Sequence, residues 1–275
     1  MKGLRAFLPY ILASLLLALL VTMAQATKDH IRRSRPVNAQ ESARSDYFYL
    51  PVGSANVSDV SERDYLEVIS DFQSHYMQAV IARTGKPLII PNEWASPYFA
   101  AFAMKKESFM QISLWGGMAR APGVTKPMLA AVICHELGHI LGGDPLQTIP
   151  GSEWASTEGQ SDFFAAKVCL PEYLQRHSEA VPLATVNSQV LQICGDHVDC
   201  EKVAQIGWDL VNMFQRYSYR KFVPVQLDVE EKAATELILN TYPSDQCRLD
   251  TYIEGARCQL GQKCRAPLCW LPAEH

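Results

Sequence analysis

Basic tracts are missing from this 275-residue chain. Its 25 lysines and arginines are outnumbered by 29 aspartates and glutamates, a formal net charge of −4. With no cluster of cations, nucleic acid is a poor candidate partner. A C-x-x-C pair is also missing among the eight cysteines (Cys134, Cys169, Cys194, Cys200, Cys247, Cys258, Cys264 and Cys269), which argues against a zinc site built from cysteine alone. Beyond the first 26 residues no apolar run approaches bilayer-spanning length, and neither an internal repeat nor a low-complexity tract occurs. What remains, 48% hydrophobic and 20% charged, is the composition of a globular protein with enough chain for a real core.

The N-terminus stands apart. Lys2 and Arg5 precede an apolar run from Ala6 to Val21, and Ala24-Gln25-Ala26 has the small-x-small form of a signal-peptidase site. Residues 1–26 are expected to be a secretory signal, with the mature chain starting near Thr27. Retained, the same segment would instead anchor the protein in an inner membrane, the one route to membrane contact. No cysteine lies near the end of the run, so a lipid anchor is not expected. Cleavage removes Lys2 and Arg5 and no acid, turning 25 basic residues into 23 against 29 acidic ones, or −6. An exported chain, periplasmic in a Gram-negative bacterium or secreted, predicts disulfides. Spacing suggests only Cys194 with Cys200, which bracket "CGDHVDC". Oligomeric state is not legible.

Residues 27–46 are polar and charged and read as a flexible linker, leaving 47–275 as a single domain with a cysteine-rich end. A helix is predicted from Ser61, a cap, to Gly85, a stop, with Tyr65, Val68, Phe72, Tyr76 and Val80 at helical spacing. "KPLIIPN", "YFAAFAM" and "SFMQISLWGG" read as three strands. Thr125 caps the next helix, with Pro127 in its first turn and Gly142-Gly143 at its end. A further helix starts near Thr157 and is expected to stop before Pro171. Helical patterns dominate to about 220, "KFVPVQLDVEE" reads as a loop, and a final helix is predicted through "CRLDTYIEGARC". A small sheet among many helices makes the fold class α+β.

The helix capped by Thr125 carries "CHELGHILGGDP". His135 and His139, four apart, project from one face one turn apart, so both imidazoles can reach one Zn²⁺. Glu136 is rotated about 100° from His135, beside such a metal and placed to take a proton from water. Pro145 stands where a third histidine would complete a histidine-only pattern. Nineteen residues beyond His139 comes Glu158, with Asp162 four residues further on the same predicted helix. Glu158 can close the coordination sphere, and Asp162 can accept the second N–H of a histidine ring. Two histidines and one glutamate leave a fourth position for water, the arrangement of a catalytic site. Read alone, Glu158 and Asp162 also fit a solvated helix face. Cys134 points about 100° away from His135 and reads as a buried thiol or disulfide partner.

HExxH followed by ExxxD resembles the gluzincin metallopeptidases. "CHELGHILGGDP", "TEGQSDFFAAKVC", the strand pair "AAFAM" and "ISLWGGMAR", and "LNTYPSDQCRLDTYIEGARC" are similar to segments of one branch, the HtpX and CAAX-prenyl-protease-type peptidases (metallopeptidase family forty-eight), across roughly residues 60 to 260. The resemblance implies a mostly helical zincin-like fold with a small antiparallel or mixed sheet beside the HExxH helix. It also implies one zinc ion held by His135, His139 and Glu158, and a polypeptide substrate. Hydrolysis would use Glu136 as general base, with Tyr242 or Arg248 near the developing oxyanion. The strand Phe99, Ala100, Ala101, Phe102 and Ala103 would pair with substrate backbone. The chain departs from the pattern twice: Tyr242 stands for the late histidine, and Ala100 for an asparagine. Tyr242 could instead pack in the core, and Arg248 could pair with an acidic neighbour. The alternative function is a zinc-stabilised binding or chaperone-like protein of the same fold without turnover.

Overall fold

The computed structural model describes residues 49–55, 57–177, 186–217, 222–261 and 264–272. The expected signal and linker lie outside them. Helix α1 (Glu62–Thr84) starts from a capping box in which Ser61 and Asp64 satisfy each other's backbone N–H, and ends at Gly85 in the left-handed region. Strands β1 (Leu88–Ile89), β2 (Ala101–Lys105) and β3 (Met110–Leu114) form one mixed sheet in the order β1-β3-β2, with β1 parallel and β2 antiparallel to β3. Phe99 and Ala100 therefore precede the strand proper, although the Ala100 carbonyl already accepts from Trp115 N at 2.9 Å. The short helix α2 (Gly116–Ala119) then leads to α3 (Lys126–Leu141).

Helix α3 is the centre of the molecule. Thr125 caps it, Pro127 occupies its first turn, and every residue from Pro127 to Ile140 is buried. A helix apolar on all sides must be enclosed on all sides, and α1, β2 and the later helices surround it. Helix α4 (Glu158–Phe164) lies across it, capped by Thr157. The two meet where Gly138 faces Ser161: a Cβ at Gly138 would come within 2.6 Å of the Ser161 backbone. Only glycine permits that approach, and it brings the first turn of α4 up to the two histidines.

The helix expected to stop before Pro171 continues through it. A π-helical turn, Ala165–Cys169, joins α4 to α5 (Leu170–Arg176), whose first turn holds Pro171. Pro171 donates no N–H, and the Lys167 carbonyl one turn back instead accepts from Gln259 Nε2 at 3.0 Å. Helices α6 (Ser188–Cys194), α7 (Val198–Tyr217) and α8 (Asp245–Arg257) complete the fold, with a 3₁₀ turn at Cys258–Leu260. About half helix with one small mixed sheet, the architecture is α+β. Among the described residues no helix is long and apolar enough to cross a membrane.

All eight cysteines are paired. Cys194 joins Cys200, as the spacing suggested, while Cys258 joins Cys264. The other two bonds clamp the centre. Cys134, beside His135, is tied to Cys169 in the π turn, and Cys247, beside Arg248, to Cys269 in the C-terminal segment. That segment folds back so that Trp270, fully buried, lies on Gly159, where a Cβ would meet its ring at 2.3 Å. Four disulfides are what a chain folding in an oxidising compartment forms.

Candidate metal and catalytic centre

His135, Glu136 and His139 are 6%, 6% and 8% exposed. Polar side chains on so enclosed a helix need partners, and both rings find theirs through Nδ1. His139 Nδ1 lies 2.9 Å from the Ser156 carbonyl, with the Ser161 hydroxyl at 3.0 Å. A carbonyl only accepts, so Nδ1 carries the proton and Nε2 keeps its lone pair. His135 Nδ1 lies 2.7 Å from Asp162 Oδ1, which likewise only accepts, so Nε2 is the nitrogen left to a metal once it sheds the proton that the two carboxylates hold on the metal-free ring. Ser156 is brought in by the loop after α3, whose backbone returns as Ser156 N donates to the His139 carbonyl at 2.9 Å.

Glu158 meets the two Nε2 atoms. Its carboxylate oxygens lie 3.2 Å from His135 Nε2 and 3.8 Å from His139 Nε2. Tetrahedral ligands about 2.0–2.1 Å from one ion sit about 3.3 Å apart; the His135–Glu158 spacing is that close, and the remaining spacings are wider, within 4.8 Å. Glu136 Oε2 is buried with no hydrogen-bond partner, while Glu158 Oε2 faces His135 Nε2. His135, His139 and Glu158, their ligand atoms all within 4.8 Å of one another, form a group that could hold a metal ion.

Asp162 is fully buried. Burial pushes its carboxyl up, but the Arg248 guanidinium and His135 overcome this and hold it well below the ordinary carboxylate range. Arg248 Nε and Nη2 donate to its two oxygens at 2.7 and 2.8 Å. Of the two sequence alternatives for Arg248, an acidic neighbour is thus the contact it makes. Its guanidinium also lies 4.9 Å from the Phe214 ring centroid and 5.4 Å from that of Tyr242. Tyr242 is half-exposed and does not pack in the core. Desolvation, then the Glu158 carboxylate, raise its hydroxyl above the ordinary phenol value, so it remains a donor.

The two glutamates are driven apart. Burial raises the Glu136 carboxyl, with the neighbouring histidines opposing. Burial also works against Glu158, but His135 and His139 win and lower it. Glu136 touches the sheet as well. Since Ala100 bonds to β3, alternation turns the amides of Ala101 and Ala103 to the open edge of β2, and the Ala103 N–H faces the Glu136 carboxylate. A pocket of about 250 Å³ adjoins these groups, lined by His135, Glu136, Tyr242 and Arg248 and by the apolar Phe99, Ala101, Phe214 and Tyr217.

The site therefore brings together His135, Glu136, His139, Glu158, Asp162, Tyr242, Arg248 and the beginning of β2. Sequence reasoning missed Phe214 and Tyr217 of α7, the Ser156 carbonyl, and Gly138. Only Gly138 left a local mark, as a glycine inside an apolar helix.

Proton release tests this electrostatic arrangement. Burial lowers the metal-free His135 imidazole, but Asp162 and Glu158 raise it past its usual 6.5 to about 10. In the metal-free protein this stabilises the fold fully below pH 6.5 and is lost as pH rises through about 10. A ligating imidazole must be neutral. Zinc binding at pH 7 is therefore expected to release about one proton, measured by calorimetry in buffers of different ionisation enthalpy. Release of none would contradict a charged His135.

No family model, curated protein or solved structure matches the chain.

Proposed function

We propose that the chain is an exported zinc metalloendopeptidase of gluzincin type with a zincin-like fold, hydrolysing peptide bonds in polypeptides. The observation that carries this reading is the convergence of His135, His139 and Glu158, whose ligand atoms lie within 4.8 Å of one another, beside the buried, unpartnered Glu136 Oε2. Leaving such an oxygen unsatisfied costs about 1–3 kcal/mol, more for a charged group. A cation fits the three converging atoms and a water fits Glu136 Oε2. Two imidazoles and one carboxylate are a donor set for zinc with a position left open.

When bound, zinc supplies acidification of a water and polarisation of a carbonyl. Glu136, its basicity raised by burial, takes the proton of the attacking water and passes it to the leaving amine nitrogen. The Tyr242 hydroxyl, on the wall of the same pocket, donates to the carbonyl oxygen as charge develops there. Arg248 acts through Asp162: it holds the carboxylate that fixes the tautomer of His135. The open edge of β2 takes the substrate backbone by strand addition, which tolerates many sequences.

Chelation tests the proposal. Metal-depleted protein is expected to leave casein intact, and one equivalent of zinc to restore cleavage. Zinc bound with casein and a proteome digest left uncut would favour the non-catalytic binding reading.

A further inference from the structure

Two of the three candidate ligands share a helix, and the third does not. His135 and His139 keep their spacing as long as α3 stays helical, whereas the place of Glu158 depends on how α4 docks against α3. Helix α4 is seven residues long before the π turn, and so short an element takes its place from its neighbours. Gly138 of α3 backs onto Ser161. Against Gly159, the residue next to Glu158, lies the ring of Trp270, which a Cβ there would meet at 2.3 Å. Gly159 and Ser161 are about 200° apart around the helix axis, so the two contacts press on α4 from opposite sides.

Trp270 is fixed in its turn. It is fully buried. Its indole N–H donates to Thr251 Oγ1 of α8 at 3.1 Å, and its carbonyl accepts from Ile238 N at 3.2 Å. The adjacent Cys269 is bonded to Cys247 of α8. With Phe163, one turn beyond Gly159, Trp270, Cys247 and Cys269 belong to a small apolar core apart from the main one. A large flat ring whose one polar atom is satisfied is a rigid body to pack against. Glycine, a poor helix former, is the residue that admits it so close to α4.

We infer that Trp270 is a positioning residue for the metal site: it wedges the first turn of α4 toward α3 and so holds the Glu158 carboxylate against the two imidazoles. The inference rests on the metal-centre reading above. Without the wedge the first turn of α4 is free to draw back, leaving the two histidines of α3. Zinc affinity is then expected to fall by about 10–100-fold, the usual effect of losing the partner that orients a ligand. A side chain that only stabilised the fold would act differently. Lost stability weakens binding only through the fraction of molecules unfolded, so a variant that stays folded keeps its affinity.

The test measures zinc affinity by chelator competition, under conditions where denaturant melts show each metal-free variant folded. Trp270→Leu is expected to bind zinc about 10–100-fold more weakly than the wild type. Val190→Ala, a cut into the buried core at α6, should lower the melting midpoint and leave the affinity unchanged. Gly159→Ala pushes against the ring from the α4 side and should weaken zinc as Trp270→Leu does. Combining Gly159→Ala with Trp270→Leu makes room for the new Cβ and should recover most of the loss. In a Glu158→Gln background Trp270→Leu should cost nothing further, because the wedge acts through that carboxylate. Wild-type affinity in both single variants, no recovery in the double variant, or an equal loss from Trp270→Leu with and without the Glu158 carboxylate would overturn the inference and leave the metal-centre reading standing. If the wild type binds no zinc, the metal-centre reading falls and the inference with it. If Trp270→Leu does not fold, Gly159→Ala decides, alone and in the Glu158→Gln background, by the same outcomes.

Discussion

Replacing Glu136 by glutamine is expected to lower peptide cleavage by about 10²–10⁴-fold, the usual contribution of a positioned general base, with zinc content unchanged. The two halves of this expectation have separate origins. On the proposed reading, metal content would depend on His135, His139 and Glu158, whose ligand atoms converge within 4.8 Å, and glutamine at 136 alters none of them. Proton transfer would depend on the Glu136 carboxylate, buried with one oxygen unpartnered, and an amide of equal size cannot accept the proton. Mass spectrometry of the native protein together with a peptide-cleavage assay checks both halves. A variant that keeps zinc and cleaves at the wild-type rate would remove Glu136 from the mechanism.

Arg248→Met is expected to destabilise the protein by about 3–5 kcal/mol, the cost of breaking a buried ion pair from one side. Asp162 is wholly buried and receives both of its short guanidinium contacts from this one residue. Without them the carboxylate keeps only His135. Zinc affinity should fall by about 10–100-fold as well, since a ligand's orienting partner is disturbed. Arg248→Lys keeps the charge but loses the two-pronged fit and should fall between. Replacing both partners, Asp162→Leu with Arg248→Met, should cost less stability than Arg248→Met alone, because no charge is left unpaired. The double variant should nevertheless bind zinc weakly, because His135 Nδ1 has lost its acceptor. Denaturant melts and chelator competition separate the two effects. Wild-type zinc affinity in the double variant would show that Asp162 does not serve the metal site.

What could be read from the sequence was local. The spacing of His135 and His139 fixes their shared face because α3 is a regular helix, and the same rule relates Glu158 to Asp162 on α4. Thr125, Thr157 and Ser61 marked helix starts because a cap acts within three residues. The π turn at 165–169 was not legible: nothing in the local pattern marks it, and Pro171 alone suggested an end. Cys194–Cys200 and Cys258–Cys264 close loops of equal length, but Cys264 has Cys269 nearer still in the sequence, so only the first pair could be guessed. The partner of Arg248 lies 86 residues away, and no periodicity relates α8 to α4. Phe214 and Tyr217 looked like ordinary apolar positions of α7, and only the fold turns them toward the pocket. The Ser156 carbonyl is backbone, invisible to any reading of side chains.

Anomalous diffraction at the zinc edge, from crystals of the zinc-loaded protein, tests the central claim most directly. One peak is expected, about 2.0–2.2 Å from His135 Nε2, His139 Nε2 and a Glu158 oxygen, with Asp162 and Glu136 outside bonding distance. A peak bonded to Asp162 in place of Glu158, a fourth protein ligand closing the site, or no peak between α3 and α4 would contradict the account.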